Sequence, residues 1–276
     1  GIPSPSWMNA TPATIGVVIR FKDSAATLPE VLEALQRQTR RPERIVGVNT
    51  GASDNSAELI SRAGGTVVPW TQPYHHARVL NFGISQCPTD LVLVVSSHTV
   101  LKSPDAIERL AACLDDPNTA CASGRWDDDP HHRDVITIEE LRGRGMKIAS
   151  IYTNSMGMFR RAFWTEAPFD ETLVTMEDYA WALDQAARGR VIRRIRFDYA
   201  YLRQGRPRHF TFTCIALRLA RRYGLRLAWL GPRGSLAGWF KNRSRTDPEG
   251  QELAGMHLAR LRAWLLWRWA SLDKEV

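Results

Sequence analysis

A chain of 276 residues with 44% hydrophobic and 24% charged residues can bury a sizeable core, which excludes disorder as its main state. The formal charge of +8 and a pI near 9.7 predict attraction to polyanions: nucleic acid, an anionic membrane surface or a phosphorylated substrate. Cys87, Cys113, Cys121 and Cys214 lack the short paired spacing of zinc sites, and in a chain this long they suit a reducing cytoplasm better than a disulfide framework.

Residues 1–7, ahead of Met8, read as an expression remnant, and no signal peptide or membrane-spanning apolar run is legible. Residues 15–21 (IGVVIRF) form a β-rich run. Asp23-Ser24 then precedes Leu28, Val31, Leu32 and Leu35 at helical spacing, which predicts strand, loop and helix over 15–38. The unit recurs as a strand at 44–49, a Gly/Ser/Asp loop at 50–55 and a helix at 56–63. A short strand at 65–68, an irregular stretch at 69–76 and a helix at 77–85 follow. The unbroken apolar run 91–95 predicts a strand buried on both faces. The helix at 104–113 has Ser103 as its predicted N-cap and Pro104 at its first position.

Strands alternating with helices predict an α/β domain with a mainly parallel sheet, whose ligands bind beyond the carboxyl ends of the strands. Lys22, Asp23, residues 49–54 and residues 96–99 occupy those ends. From 126 to 150 the pattern weakens around WDDDPHHRD, which serves as a solvated acidic loop or a contact to substrate, and a helix is possible at 138–144. Helices at 160–166 and from 177 to about 188, then a basic strand at 190–197, complete this part. From 213 the chain is helical, with stripes at Ile215, Leu219, Tyr223, Leu227 and Leu230 and at Leu258, Leu261, Leu265, Trp269 and Leu272. Arginine and tryptophan interleave there, which suits a bilayer interface, while the same stripes could pack on the body or a second subunit.

Four stretches, IGVVIRFKDSAATLPEVLEALQRQT, VGVNTGASDNSAELI, YHHARVLNFGISQCPTDLVLVVSSHTVL and NSMGMFRRAFWTEAPFDETLVTMEDYAWALDQAARG, resemble the family 2 glycosyltransferases of GT-A fold, and their rhamnosyltransferase-like branch most closely. The resemblance covers about 14–212 and implies a GT-A domain over 8–212 with a basic, Trp-rich helical tail over 213–276. It implies an inverting transfer of a sugar from a nucleotide-sugar donor to an acceptor hydroxyl. Asp178, or its neighbour Glu177, would be the base; a pair of acids that merely caps a helix is the alternative.

By the same resemblance Phe21, Asp23, Asn49, Gly51, Asp54, Arg78 and Ser97 fall at the donor site. Asn49 stands where the family commonly has aspartate, and Asp54 serves equally as a turn-forming residue. Ser96-Ser97-His98 occupies the place of the family's Asp-x-Asp metal motif, so Mn²⁺ or Mg²⁺ is doubtful, with His98 and His209 the candidate ligands. Without metal, Arg78, Arg206 and Arg208 would neutralise the diphosphate. The paired His75 and His76 read as loop packing. The acceptor would be a glycan, lipid-linked or small molecule, met in the cytoplasm or at the inner membrane face, with self-association through the tail as a further possibility. A pseudoenzyme that binds nucleotide-sugars is the rival reading, and a nucleic-acid partner has only the charge in its favour.

Overall fold

The computed structural model describes residues 12–125, 133–144, 151–203, 208–226 and 231–270. The first half runs β1 (Ile15–Phe21), α1 (Leu28–Gln36), β2 (Arg44–Asn49), α2 (Ser56–Arg62), β3 (Thr66–Pro69), α3 (His76–Ser85), β4 (Leu91–Val95), β5 (Thr99–Leu101) and α4 (Ala106–Cys113). The second half runs β6 (Thr119–Gly124), β7 (Val135–Ile136), α5 (Ile138–Arg144), β8 (Met156–Arg160), α6 (Arg161–Glu166), α7 (Glu177–Ala187), β9 (Val191–Ile195), β10 (Tyr199–Tyr201), α8 (His209–Tyr223), α9 (Pro232–Asn242) and α10 (Pro248–Leu266).

The main sheet has the order β3-β2-β1-β4-β8-β6-β9-β7. Its first four strands are parallel, as the strand and helix alternation predicts, and the order reverses direction at β1, where a crevice opens above the strand ends. The other half is mixed, because β8 runs antiparallel between β4 and β6. A second small sheet pairs β10 with β5 and lays Tyr201 beside Thr99, just past the end of β4.

Alternating side chains divide the core between the two faces. Val18, Val92 and Val94 join α3, α7 and α8, while Ile15, Val17, Ile19, Leu91, Leu93 and Val95 join α1 and α4. α3 lies close over β1 and β2 because Gly83 has no side chain; a Cβ there would stand 2.6 Å from Val48 and 2.8 Å from Val18.

One expectation needs correction. Ser103 does not cap α4: its hydroxyl accepts the Asp198 N–H at 2.8 Å, and the helix starts later, with Asp105 at its N-cap. The position 212/213 falls within α8. Ile215, Leu219 and Tyr223 are buried in the core beside Trp181 and Leu183. Leu227, Leu230 and Leu272 fall outside the described residues.

Candidate active site

Two adjoining cavities open above the carboxyl ends of β1 and β4 and share Arg20 and His98. The larger, about 680 Å³, is lined by the β1 end from Arg20 to Ser24 and by Thr50, Tyr74, Ser97 and Arg203. The smaller, about 220 Å³, is lined by His76, Leu80, Ser96, Asn154, Ser155 and Asp178 among others. The larger has the size of small-molecule sites in general.

The acid pair opens α7. Its N-cap, Met176, sits in the left-handed region at φ 64°, a strained conformation for a side chain of this size, held by burial at 2% exposure. The helix is fixed by Trp181, whose indole lies 5.4 Å from the Phe159 ring and 5.9 Å from Phe169 and donates to the Ala167 carbonyl at 2.7 Å. Behind it, buried Asn81 accepts from Trp164 Nε1 and from the Phe169 N–H, and donates to the Phe169 carbonyl.

The two carboxyl groups have different surroundings. Glu177 is 2% exposed. Burial pushes its carboxyl up, yet His76, 3.2 Å away, and the Asn154 amide outweigh that and hold it below the usual range. Asp178 faces the smaller cavity. It accepts the Asn154 N–H and the Tyr179 N–H, each at 2.9 Å, but burial and the charge of Glu177 push it up to about 8. The pair therefore divides into a fixed anion and a carboxyl that titrates near neutrality, the property a general base requires.

A hydrogen-bonded chain joins this pair to the basic wall. Arg20 donates to the Tyr74 hydroxyl and its guanidinium lies 5.5 Å from that ring; Tyr74 meets His76 Nδ1 at 3.0 Å, and His76 Nε2 reaches Glu177. His76 is thus more than loop packing: it is the counter-group of the buried acid. Sequence reading missed Arg20, His76 and Arg203. An arginine interrupting the apolar run of β1 at its carboxyl end was the available signal for the first.

Of the donor-site residues, Phe21, Asp23 and Ser97 line the larger cavity. Asp23, at φ 44°, accepts the Ser53 N–H at 2.7 Å and its hydroxyl, and Ser97 Oγ meets Ser24 Oγ at 3.0 Å. Asn49 and Asp54 are committed to the loop. Asn49 accepts the N–H groups of Gly51 and Ala52, and Asp54 accepts those of Ala25 and Ser56. Gly51, at φ 97°, makes that turn. Neither Asn49 nor Asp54 lines either cavity. Arg78 pairs with Glu171 at 3.5 Å, outside both, and Arg208 is exposed at the start of α8. His209 takes its electrostatic surroundings from Arg260, Glu252 and His257 of α10 and lines neither cavity. Arg206, Asp127, Asp128, Asp129, His131 and His132 lie outside the described residues.

The residues at the end of β4 do not fit a divalent cation. His98 supplies one imidazole, pushed below its ordinary value by burial and by the nearby charges of Arg20 and Arg203. Ser97 is engaged with Ser24, and Asp178 is the one carboxylate among the described residues that line the smaller cavity. Among the described residues no three His, Cys, Asp or Glu side chains converge. Mg²⁺ demands several oxygen ligands, and two guanidinium groups at the same place oppose any cation.

Known proteins agree with this architecture. The mannosyltransferase PcManGT of Pyrobaculum calidifontis, solved with GDP-Man and Mn²⁺, superposes with a TM-score of 0.67 at 16% identity over 96% of this chain and 89% of that one. Glucosyl-3-phosphoglycerate synthase of Mycobacterium tuberculosis, solved with Mn²⁺, UDP and glucosyl-3-phosphoglycerate, gives 0.60 at 16% identity over 77% and 81%. The fold is GT-A. In sequence the chain is similar to two O-antigen chain rhamnosyltransferases, RfbN of Salmonella typhimurium (22% identity over 71% of this chain) and WbaN of Salmonella anatum (20% over 70%). The match spans 66% and 64% of those relatives' lengths. Residues 16–172, more than half of the chain, match the profile of Glycosyl transferase family 2, and the chain belongs to that family of sugar-transferring enzymes.

Proposed function

We propose that the chain is an inverting glycosyltransferase that takes a sugar from a nucleotide-sugar and uses Asp178 as its base. The observation that carries this reading is the place of Asp178 on a cavity shared with Arg20 and His98, directly beside the larger basic cavity. The nucleotide fills the larger cavity, with its diphosphate toward Arg20, and the sugar enters the smaller one. The acceptor hydroxyl hydrogen-bonds to Asp178 and loses its proton to that carboxylate as its oxygen bonds to the anomeric carbon. The bond from that carbon to the diphosphate oxygen breaks on the opposite face, and its electron pair leaves with the nucleoside diphosphate. Glu177, held by His76, keeps the carboxylate beside it basic enough for the transfer. The acceptor is a glycan or a lipid-linked glycan.

The acceptor surface is reached from a membrane. No helix among the described residues is long and apolar enough to cross a bilayer. α9, α10 and the turn after α10 nevertheless expose Leu236, Phe240, Leu258, Leu265, Leu266 and Trp269. Arg243 stacks 4.5 Å from Phe240, and Arg268 lies 5.4 Å from Trp267, an arrangement that suits the headgroups of an anionic leaflet on the cytoplasmic side.

Incubation with a panel of UDP-, GDP- and dTDP-sugars and a lipopolysaccharide-type glycan acceptor tests the reading. Release of a nucleoside diphosphate with inversion at the anomeric carbon, followed by NMR, is expected. Binding of a donor with no turnover on any acceptor would favour the rival reading, a nucleotide-sugar-binding protein that has lost its chemistry.

A further inference from the structure

We propose that the chain holds the donor's diphosphate without a divalent metal, in a cationic clamp formed by Arg20 and Arg203. This rests on the donor-site reading above and concerns how that site handles charge.

Arg20 is the next-to-last residue of β1, and Arg203 follows β10 two residues after Tyr201; both line the larger cavity, and the charges of both act on His98. Neither arginine is spent on an acid. Arg20 is oriented by the neutral Tyr74 hydroxyl and ring, and among the described residues neither Arg20 nor Arg203 forms an ion pair. Two guanidinium groups facing one cavity repel each other unless an anion lies between them, and a diphosphate offers the oxygens to engage both.

Two of the three arginines that sequence reasoning favoured are elsewhere, Arg78 paired with Glu171 and Arg208 exposed at the head of α8, and the third, Arg206, lies outside the described residues. Lys22, exposed on the rim of the same cavity, adds a third positive charge as the leaving diphosphate becomes more negative. At the end of β4 the hydroxyls and lone imidazole cannot replace this with a metal, since they would have to assemble oxygen ligands for a cation beside two fixed positive charges.

The test is titration calorimetry of the full chain with UDP, GDP, dTDP, CDP and ADP and their nucleosides, in EDTA and in Mn²⁺. At least one nucleoside diphosphate is expected to bind in EDTA within about threefold of its affinity in Mn²⁺. Arg20→Gln and Arg203→Gln should each weaken that diphosphate by about tenfold and leave the matching nucleoside unchanged, the loss expected for one charge-assisted phosphate contact. Arg78→Gln should change neither, and circular dichroism would verify that all three variants fold. Diphosphate binding that appears only with Mn²⁺ or Mg²⁺, or that survives both clamp substitutions unchanged, overturns the clamp and leaves the donor site standing. No binding of any diphosphate or nucleoside under either condition overturns both.

Discussion

The two walls of the cavity are built differently. The basic wall, Arg20, Lys22, Arg203 and His98, comes from strand ends and the loops after them, and among the described residues it forms no ion pair with an acid. The acidic wall, Glu177 and Asp178, is the first turn of a helix locked into the main core by Trp181 and backed by the Asn81 hydrogen bonds. A flexible cation can wait in water for its ligand at little cost. A base must be desolvated to acquire a useful pKa, and desolvation is stable only where the surrounding packing enforces it. Substitutions in the basic wall should therefore alter binding alone, and those beneath the acidic wall should alter stability and chemistry together.

The largest stability effect lies under the acidic wall. Trp181→Ala removes the centre of an aromatic cluster with Phe159 and Phe169 and a hydrogen bond to the Ala167 carbonyl. A loss of about 3–5 kcal/mol is expected, measured by urea unfolding. A loss below about 1 kcal/mol would show that α7 is held by something else.

His76 separates the two carboxyl groups electrostatically. If Asp178 is the base proposed above, it acts unprotonated, and kcat/KM should rise about tenfold per pH unit below the apparent pKa near 8 and level off above it. In His76→Gln the buried Glu177 loses its partner and keeps a proton more readily, which relieves the repulsion that raises Asp178. The rising limb, on the acid side of the plateau, should then move to lower pH. A lower rate with an unmoved limb would make His76 a packing residue and nothing more.

The smallest effect concerns the exposed surface of α9, α10 and the turn after α10, where Leu265 is 73% and Trp269 77% exposed. The double substitution Leu265→Glu and Trp269→Glu should abolish co-sedimentation with phosphatidylglycerol-containing vesicles at low salt while leaving donor binding intact. Equal pelleting of both proteins, or a concentration-dependent dimer lost in the variant, would assign this face to a second copy of the chain.

Much of the frame could be read from residue pattern, and the reasons are local. β4 is an unbroken apolar run, β1 and β2 are mostly apolar runs followed by polar loops, and α5 has its own acidic start and basic end, so their limits are legible without tertiary information. β8 escaped because MGMFR shows no alternation: it is paired along both edges, by β4 and β6, and its first four residues are all buried. The start of α4 was misread because Ser103 serves the backbone of Asp198, 95 residues away.

At the site, the acid pair was visible as two carboxylates ahead of an apolar helix, but the partner that divides their roles was not. His76 meets Glu177 only because α3 crosses the sheet beside α7, a contact between residues 101 positions apart in sequence. Asn49 and Asp54 show the opposite failure. Their side chains close a loop, a role that short polar residues fill as readily as ligand binding.

Proton transfer to Asp178 is the central step proposed for this enzyme, and Asp178→Asn tests it most directly. Asparagine preserves size and can still accept from the Asn154 N–H, but cannot take up a proton. With donor affinity measured alongside by calorimetry, kcat should fall by about two to four orders of magnitude while nucleotide binding stays within about twofold of the unaltered protein. Full turnover in the variant would contradict the assignment and remove Asp178 from the chemistry.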